Sequence, residues 1–267
     1  MLTARFTLPF ILPLMIILLS SHYPYLAAAL AIALLFSFPF ILMKFWKCEP
    51  LPAGEIKNAL DEVAKKANFK HAGLKRWTIM KGKLTAGIVG IFPFMRYVLF
   101  SDSLLNRLSL PALSAILAHE IGHAYYRHLL IIPFVLMGIF LLTDLTFSFL
   151  PVTHEALSYL AWFLIFALFI RVIFGFFSRL FERQADLHGL KLGQPISWMI
   201  EALEEVSRLS FRAADKPDWL HGTINERINF LKKVQEQPEL ARSHTRKTTF
   251  FIIIFIVIGL LMLYFTR

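Results

Sequence analysis

The 267-residue chain is 57% hydrophobic and only 17% charged, with a net charge of +10 and a mean hydropathy of +0.61. A soluble domain of this length carries nearer a quarter charged residues, and a disordered chain does not carry 27 Phe, so both classes are excluded. The lone Cys48 excludes a disulfide framework and any multi-cysteine metal cluster, while 12 Gly and 13 Pro exclude fibrous and linker-rich chains; a membrane protein remains.

In chain order, the first apolar run is Phe6–Leu19, short and interrupted by Pro9 and Pro13. It reads either as a signal-peptide core, with Ala27–Ala29 as a small-residue cleavage region, or as the first arm of an uncleaved hairpin turning at Ser20–Pro24. The hairpin is preferred because the apolar sequence resumes at once. Leu26–Met43 carries no charge and, with a residue or two more, spans about 28 Å at the helical rise. Glu55–Asn68 has helical periodicity, Trp77–Met80, Thr85–Val89 and Arg96–Ser101 read as strands, and Asp102–Leu108 follows. Ser109 and Pro111 then open a long apolar helix, with Ser109 as N-cap, which is expected to run straight toward the span Leu129–Leu150. Leu157–Phe177 and Phe250–Phe265 are further spans, and Ser178–Leu192, Pro195–Arg208 and Ile224–Val234 are helices between them.

Of the 28 Lys and Arg, 13 lie in residues 44–128 and 12 in 179–248, whereas the connectors Ser20–Pro24 and Pro151–Glu155 have none. Basic residues flanking the spans place both polar blocks on the cytoplasmic side. No Lys/Arg run exceeds two residues, so the charge reads as orientation and solvated surface, and no nucleic acid is expected as a partner. Asp144 and Arg171 lie at different depths of their spans, so a mutual ion pair is not expected, and Arg171 can snorkel inward. Cys48, just past the second span, is a plain thiol or a lipidation site.

Residues 119–123 read HEIGH. On a helix, His119 and His123 project from one face one turn apart, where two imidazole nitrogens can bind one zinc ion. Glu120 stands beside them as a general base for an attacking water. A catalytic zinc needs a third protein ligand. His128 lies five residues past His123, off the ligand face, whereas Glu182 lies in FERQAD (Phe181–Asp186), two spans later. Glu182 and Asp186 are four apart, so one can bind metal while the other supports a ligand histidine. The remaining histidines, His22, His71, His154, His188 and His244, have no metal-like spacing and are expected at surfaces or in local packing.

HEIGH followed after two spans by SRLFERQAD (Ser178–Asp186) resembles the HtpX-like and CAAX-prenyl-protease-like family of integral-membrane zinc metallopeptidases. The resemblance runs from about Lys57 to Val234 and includes RYVLFSDSLLNRL (Arg96–Leu108) and HGTINERINFL (His221–Leu231). It implies zinc ligands His119, His123 and Glu182, general base Glu120, and Asp186 and Arg227 supporting them. It also implies that His221 approaches the active site, where an imidazole can stabilise an oxyanion; the residues alone favour His221 as a helix cap. Two departures stand out: Gly222 where the family usually has Pro, and Thr85-Ala86 where it often has Asn-Ala.

The expected architecture is therefore mainly α: four or five membrane spans with a cytoplasmic α+β zincin-like catalytic domain built from two sequence blocks. Its parts are an N-terminal hairpin (1–43), a first catalytic block (44–128), a second hairpin (129–178), a helical block with the third ligand (179–248) and a last span (249–267). The expected activity is zinc-dependent endoproteolysis of membrane-protein or membrane-tethered peptides, with one Zn2+ per chain, in a bacterial inner membrane with a cytoplasmic active site. The sheet edge can hold substrate as an added strand. The rival is a non-proteolytic zinc-binding scaffold or sensor, which would have no need of Glu120.

Overall fold

A computed structural model describes residues 11–13, 15–16, 19–20, 22–80, 82–151, 154–209 and 219–265. Among them, four helices are long and apolar enough to cross a membrane: α1 (Pro24–Phe45), α5 (His128–Ser148), the continuous run Glu155–Lys191, and α11, with an apolar window inside Glu239–Tyr264. Each approximates or exceeds the ~20 residues that a hydrocarbon core requires. The expected first crossing, Phe6–Leu19, falls largely outside the described residues; those described within it are helical. The chain forms two compact units, Met1–Glu120 and Ile121–Arg267.

The first unit contains a four-stranded sheet in the order β1-β2-β4-β3, with β1 (Cys48–Pro50), β2 (Gly73–Trp77), β3 (Ala86–Val89) and β4 (Tyr97–Ser101). β2 and β4 pair in parallel, Leu74 opposite Val98; β1 and β3 pair antiparallel on the outside, Glu49 opposite Arg76 and Ile88 opposite Val98. Val98, Leu99 and Phe100 of β4 are fully buried, which explains why this strand is an uninterrupted apolar run rather than an alternating one. β2 lies four residues upstream of the expected Trp77–Met80 strand. Lys75 and Arg76 break its apolar pattern, and pairing on both edges overrides that weak local signal. β1 has three residues, too few to show a period. Helix α2 (Glu55–Lys66) buries Leu60, Val63 and Ala64, the face its periodicity predicts. Where α1 ends, the Trp46 and Trp77 rings stack at 4.5 Å over a cluster with Leu42, Ile79 and Leu99. Cys48 packs on this cluster, and burial pushes its thiol up to about 12, so it stays protonated at neutral pH. Helix α3 (Asp102–Arg107) is capped by Ser101 and leads to α4 (Leu110–Tyr125).

In the second unit, α5, α6 (Glu155–Phe169), α7 (Gly175–Asp186) and α11 (Glu239–Phe265) share a core of Val135, Ile139, Phe177 and Phe181, flanked by Phe251 and Phe255. A side-chain carbon at Gly138 would come within 2.5 Å of the Phe255 ring, so glycine sets the approach of α5 and α11. One π-helical segment, Ile170–Phe174, joins α6 to α7. Asp144 accepts a 2.6 Å hydrogen bond from the Trp162 indole of the neighbouring span, which gives this intramembrane carboxylate a local partner. The short α8 (His188–Lys191), α9 (Ile196–Leu209) and α10 (Ile224–Glu236) complete the unit.

Candidate metal centre

Helix α4 begins as its sequence dictates: Ser109 Oγ accepts a hydrogen bond from the Ala112 N–H at 3.2 Å, and Pro111 occupies the first turn. His119 is buried and His123 partly so, one turn further along the same face. Glu120, between them, is partly buried. The helix does not run straight into the membrane span as expected. It ends at Tyr125, and Arg127 adopts φ +59° before α5 starts at His128. This left-handed residue resets the chain direction.

One donor atom from each of His119, His123 and Glu182 lies within 4.8 Å of the others. His123 Nε2 is 3.6 Å from Glu182 Oε1. Glycine within HEIGH makes this approach possible: a side-chain carbon at Gly122 would sit 3.0 Å from Ala185 Cα and 2.9 Å from His188 Cβ. Those are atoms of α7 and α8 one turn beyond Glu182, so Gly122 lets the two helices close on each other.

The back of His123 is held by a buried chain of polar groups. His123 Nδ1 lies 2.9 Å from His128 Nδ1, and His128 Nε2 lies 3.0 Å from Gln184 Oε1. With His128 neutral and its Nε2 donating to the Gln184 amide oxygen, His128 accepts at Nδ1 and His123 donates from Nδ1. That tautomer leaves the lone pair of His123 on Nε2, the atom facing Glu182. His128 is itself fixed: it is 2% exposed and sandwiched between Phe181 at 4.3 Å and Tyr126 at 5.8 Å, both nearly parallel to it.

Glu182 and Asp186 share one buried face of α7, and Arg227 of α10 clasps both. The guanidinium donates to Asp186 Oδ2 at 2.8 Å and Oδ1 at 2.5 Å, and reaches Glu182 Oε2 at 3.2 Å. Two buried carboxylates therefore share one cation, and Glu182 Oε1 remains turned toward His123. His221 also arrives here: its Nε2 is 3.8 Å from Glu182 Oε1, and its side chain is half exposed. It is not the cap of α10. Thr223 is, in a full capping box with Glu226. Gly222, where the resembling family has Pro, adopts φ +72°, which a proline ring cannot reach. The carbonyl of Trp219 is anchored by Arg179 at 3.2 Å. At the sheet edge, Thr85 N–H donates to Ser101 Oγ at 3.2 Å and its carbonyl accepts from Ser101 N–H at 2.9 Å, extending the β3–β4 ladder by one backbone bond and one bond to the serine hydroxyl.

The donor set fits a zinc ion: two imidazoles, one with its lone pair fixed toward the cluster, and a buried carboxylate oxygen. The motifs and the resemblance bring His119, Glu120, His123, Glu182, Asp186, Arg227 and His221 toward one site and set His128 off the ligand face, and no sequence pattern singles out Gln184 or Gly122. Residues 50–248 match the model of Peptidase family M48. The chain belongs to peptidase family M48. It is 26% identical over 241 residues to CAAX prenyl protease 1 of Saccharomyces cerevisiae, a match covering 75% of this chain and 52% of that protein. The chain thus spans about half the length of this relative. The crystal structure of S. mikatae Ste24p superposes with a TM-score of 0.62 at 20% identity, covering 85% of this chain and 63% of that one, and so shares the M48 chain's fold.

Proposed function

We propose that this M48 chain is a zinc metalloendopeptidase of an integral membrane, cutting membrane-associated proteins near the cytoplasmic face. The observation that carries the reading is the convergence of His119, His123 and Glu182 within 4.8 Å, with Glu120 on the same helix. A zinc ion there would be held by His119, His123 and Glu182 and would supply Lewis acidity.

The chain's own residues supply the remaining chemistry. Glu120 takes the proton of the attacking water as its oxygen bonds the peptide carbonyl carbon. It then passes that proton to the amine as the C–N bond breaks. His221, at 3.8 Å from Glu182 and open to solvent on one side, donates a hydrogen bond to the carbonyl oxygen as it gains charge. Arg227 and Asp186 hold Glu182 in place. Edge strand β3 offers backbone groups to an extended substrate segment. Glu120 itself favours catalysis over a scaffold role, since metal binding alone does not call for it. The name of the yeast relative, a prenyl protease, favours a substrate tethered to the bilayer, where effective concentration at the site is high. Basic residues flanking the spans favour a cytoplasmic site.

The test is reconstituted enzyme given one loop sequence either soluble or fused to a transmembrane anchor. The expected result is preferential cleavage of the anchored form and none by Glu120→Gln. Equal cleavage of both forms, or cleavage surviving in Glu120→Gln, refutes the proposal.

A further inference from the structure

The connection between β3 and β4 is a built loop whose aromatic side chains point outward. Gly90 adopts φ +95°, and a side-chain carbon there would lie 2.1 Å from the Met95 carbonyl oxygen, so the loop closes only on glycine. Pro93 starts a single 3-10 turn, Pro93–Met95, whose Met95 side chain is 1% exposed and anchors the loop inward. Arg96 ties the far side by donating from its guanidinium to the Ile91 carbonyl. The Phe92 carbonyl accepts from Met95 N–H at 3.0 Å, the Pro93 carbonyl from Arg96 N–H at 3.5 Å, and Pro93 has no N–H to satisfy.

Phe92 and Phe94 remain outside this frame, 37% and 66% exposed. Their rings stack at 5.9 Å and 11°, and Phe92 stacks in turn on Phe36 at 5.6 Å and 3°. Phe36 belongs to α1, an apolar helix of mean hydropathy 2.5 long enough to cross a membrane, and is itself 43% exposed. It lies nine residues before Phe45, about 14 Å along the helix axis from the basic end of the span. The ladder therefore departs from the apolar flank of α1 and not from its charged terminus.

We infer that the Gly90–Arg96 loop is a membrane wedge: Phe92 and Phe94 insert into the bilayer beside α1, so the occupant of this exposed aromatic surface is lipid. Continuity decides for lipid over a protein partner, since a surface coplanar with a lipid-facing ring of a span is itself bathed in acyl chains. Each phenylalanine offers about 150–250 Å² for burial. The Ile91, Phe92 and Pro93 carbonyls accept hydrogen bonds within the loop, which reduces the cost of bringing them into a medium without water. The wedge seats the β3 end of the sheet on the membrane independently of any metal or catalytic step.

The experiment places a nitroxide on Phe94→Cys, in a Cys48→Ser background, with the full chain in phosphatidylcholine/phosphatidylglycerol vesicles. Relaxation by oxygen, which concentrates in acyl chains, is compared with relaxation by a water-soluble nickel chelate. Ile32→Cys on the 61% exposed flank of α1 and Lys83→Cys at an exposed turn are the references. The inference expects the label at 94 to behave like that at 32, relaxed by oxygen in preference to nickel, with the opposite at 83. Phe92→Cys is expected to follow 94. Nickel reaching 94 and 92 as readily as 83 overturns the wedge. Nickel reaching 32 removes the span, and the wedge with it. None of these readings depends on zinc or on proteolysis.

Discussion

At the scale of single residues, the site depends on where a proton sits. His123 presents a lone pair on Nε2 toward Glu182 only while Nδ1 donates to His128, and His128 is oriented for this by Gln184. Removing such a supporting bond weakens metal binding ~10–100-fold. His128→Ala is accordingly expected to weaken zinc affinity by that factor in a competition titration with a chromogenic chelator; unchanged affinity would show that His123 does not need its partner. On a continuous helix His128, five residues past His123, falls off the face that His119 and His123 share. The left-handed Arg127 instead brings this residue back behind His123, to 2.9 Å between their Nδ1 atoms. A lone His five residues from a HEIGH carries no local pattern that announces this. Glu182 and Asp186 were legible because carboxylates four apart share a helix face in any fold. Their shared cation was legible only through resemblance, since 41 residues separate Asp186 from Arg227.

Among the secondary-structure elements, the contact between α4 and α7 brings His123 and Glu182 together, and Gly122 sets its distance. Backbone atoms of Ala185 face the position at 3.0 Å and cannot swing away as a side chain can. Gly122→Ala is therefore expected to push α7 outward, lowering both zinc occupancy and melting temperature by an overpacking cost of ~1–3 kcal/mol. Wild-type occupancy and stability would mean that the helices have slack. Long periodic elements are readable: the four spans among the described residues, α2, α4 and α10 lie where the apolar spacing puts them. Elements made by pairing are not. β1 is three residues long and β2 contains Lys75 and Arg76, so each exists because a neighbour hydrogen-bonds to it. The break between α4 and α5 was hidden as well, because apolar periodicity continues across it.

Viewed as a whole molecule, composition alone separates this chain from soluble proteins, and four apolar helices bear that out among the described residues. Orientation rests on the basic flanks. Cysteines replacing His22 and Glu155, both exposed, in a Cys48→Ser background are expected to react with an impermeant maleimide added outside intact cells. Reaction only after lysis would invert the topology and put the site on the opposite face. The +10 charge follows from the same asymmetry, as 25 of 28 basic residues lie in the two polar blocks.

The central claim is that two histidines of one helix and a glutamate of another hold a catalytic zinc that Glu120 serves without binding. Metal content of the purified chain, measured by inductively coupled plasma mass spectrometry, tests it most directly. A mononuclear site predicts about one zinc per chain in the wild type and in Glu120→Gln. It predicts near zero in His119→Ala with His123→Ala, and a strong loss in Glu182→Ala. Zinc absent from the wild type after gentle purification, or retained undiminished in the double histidine variant, would contradict the account.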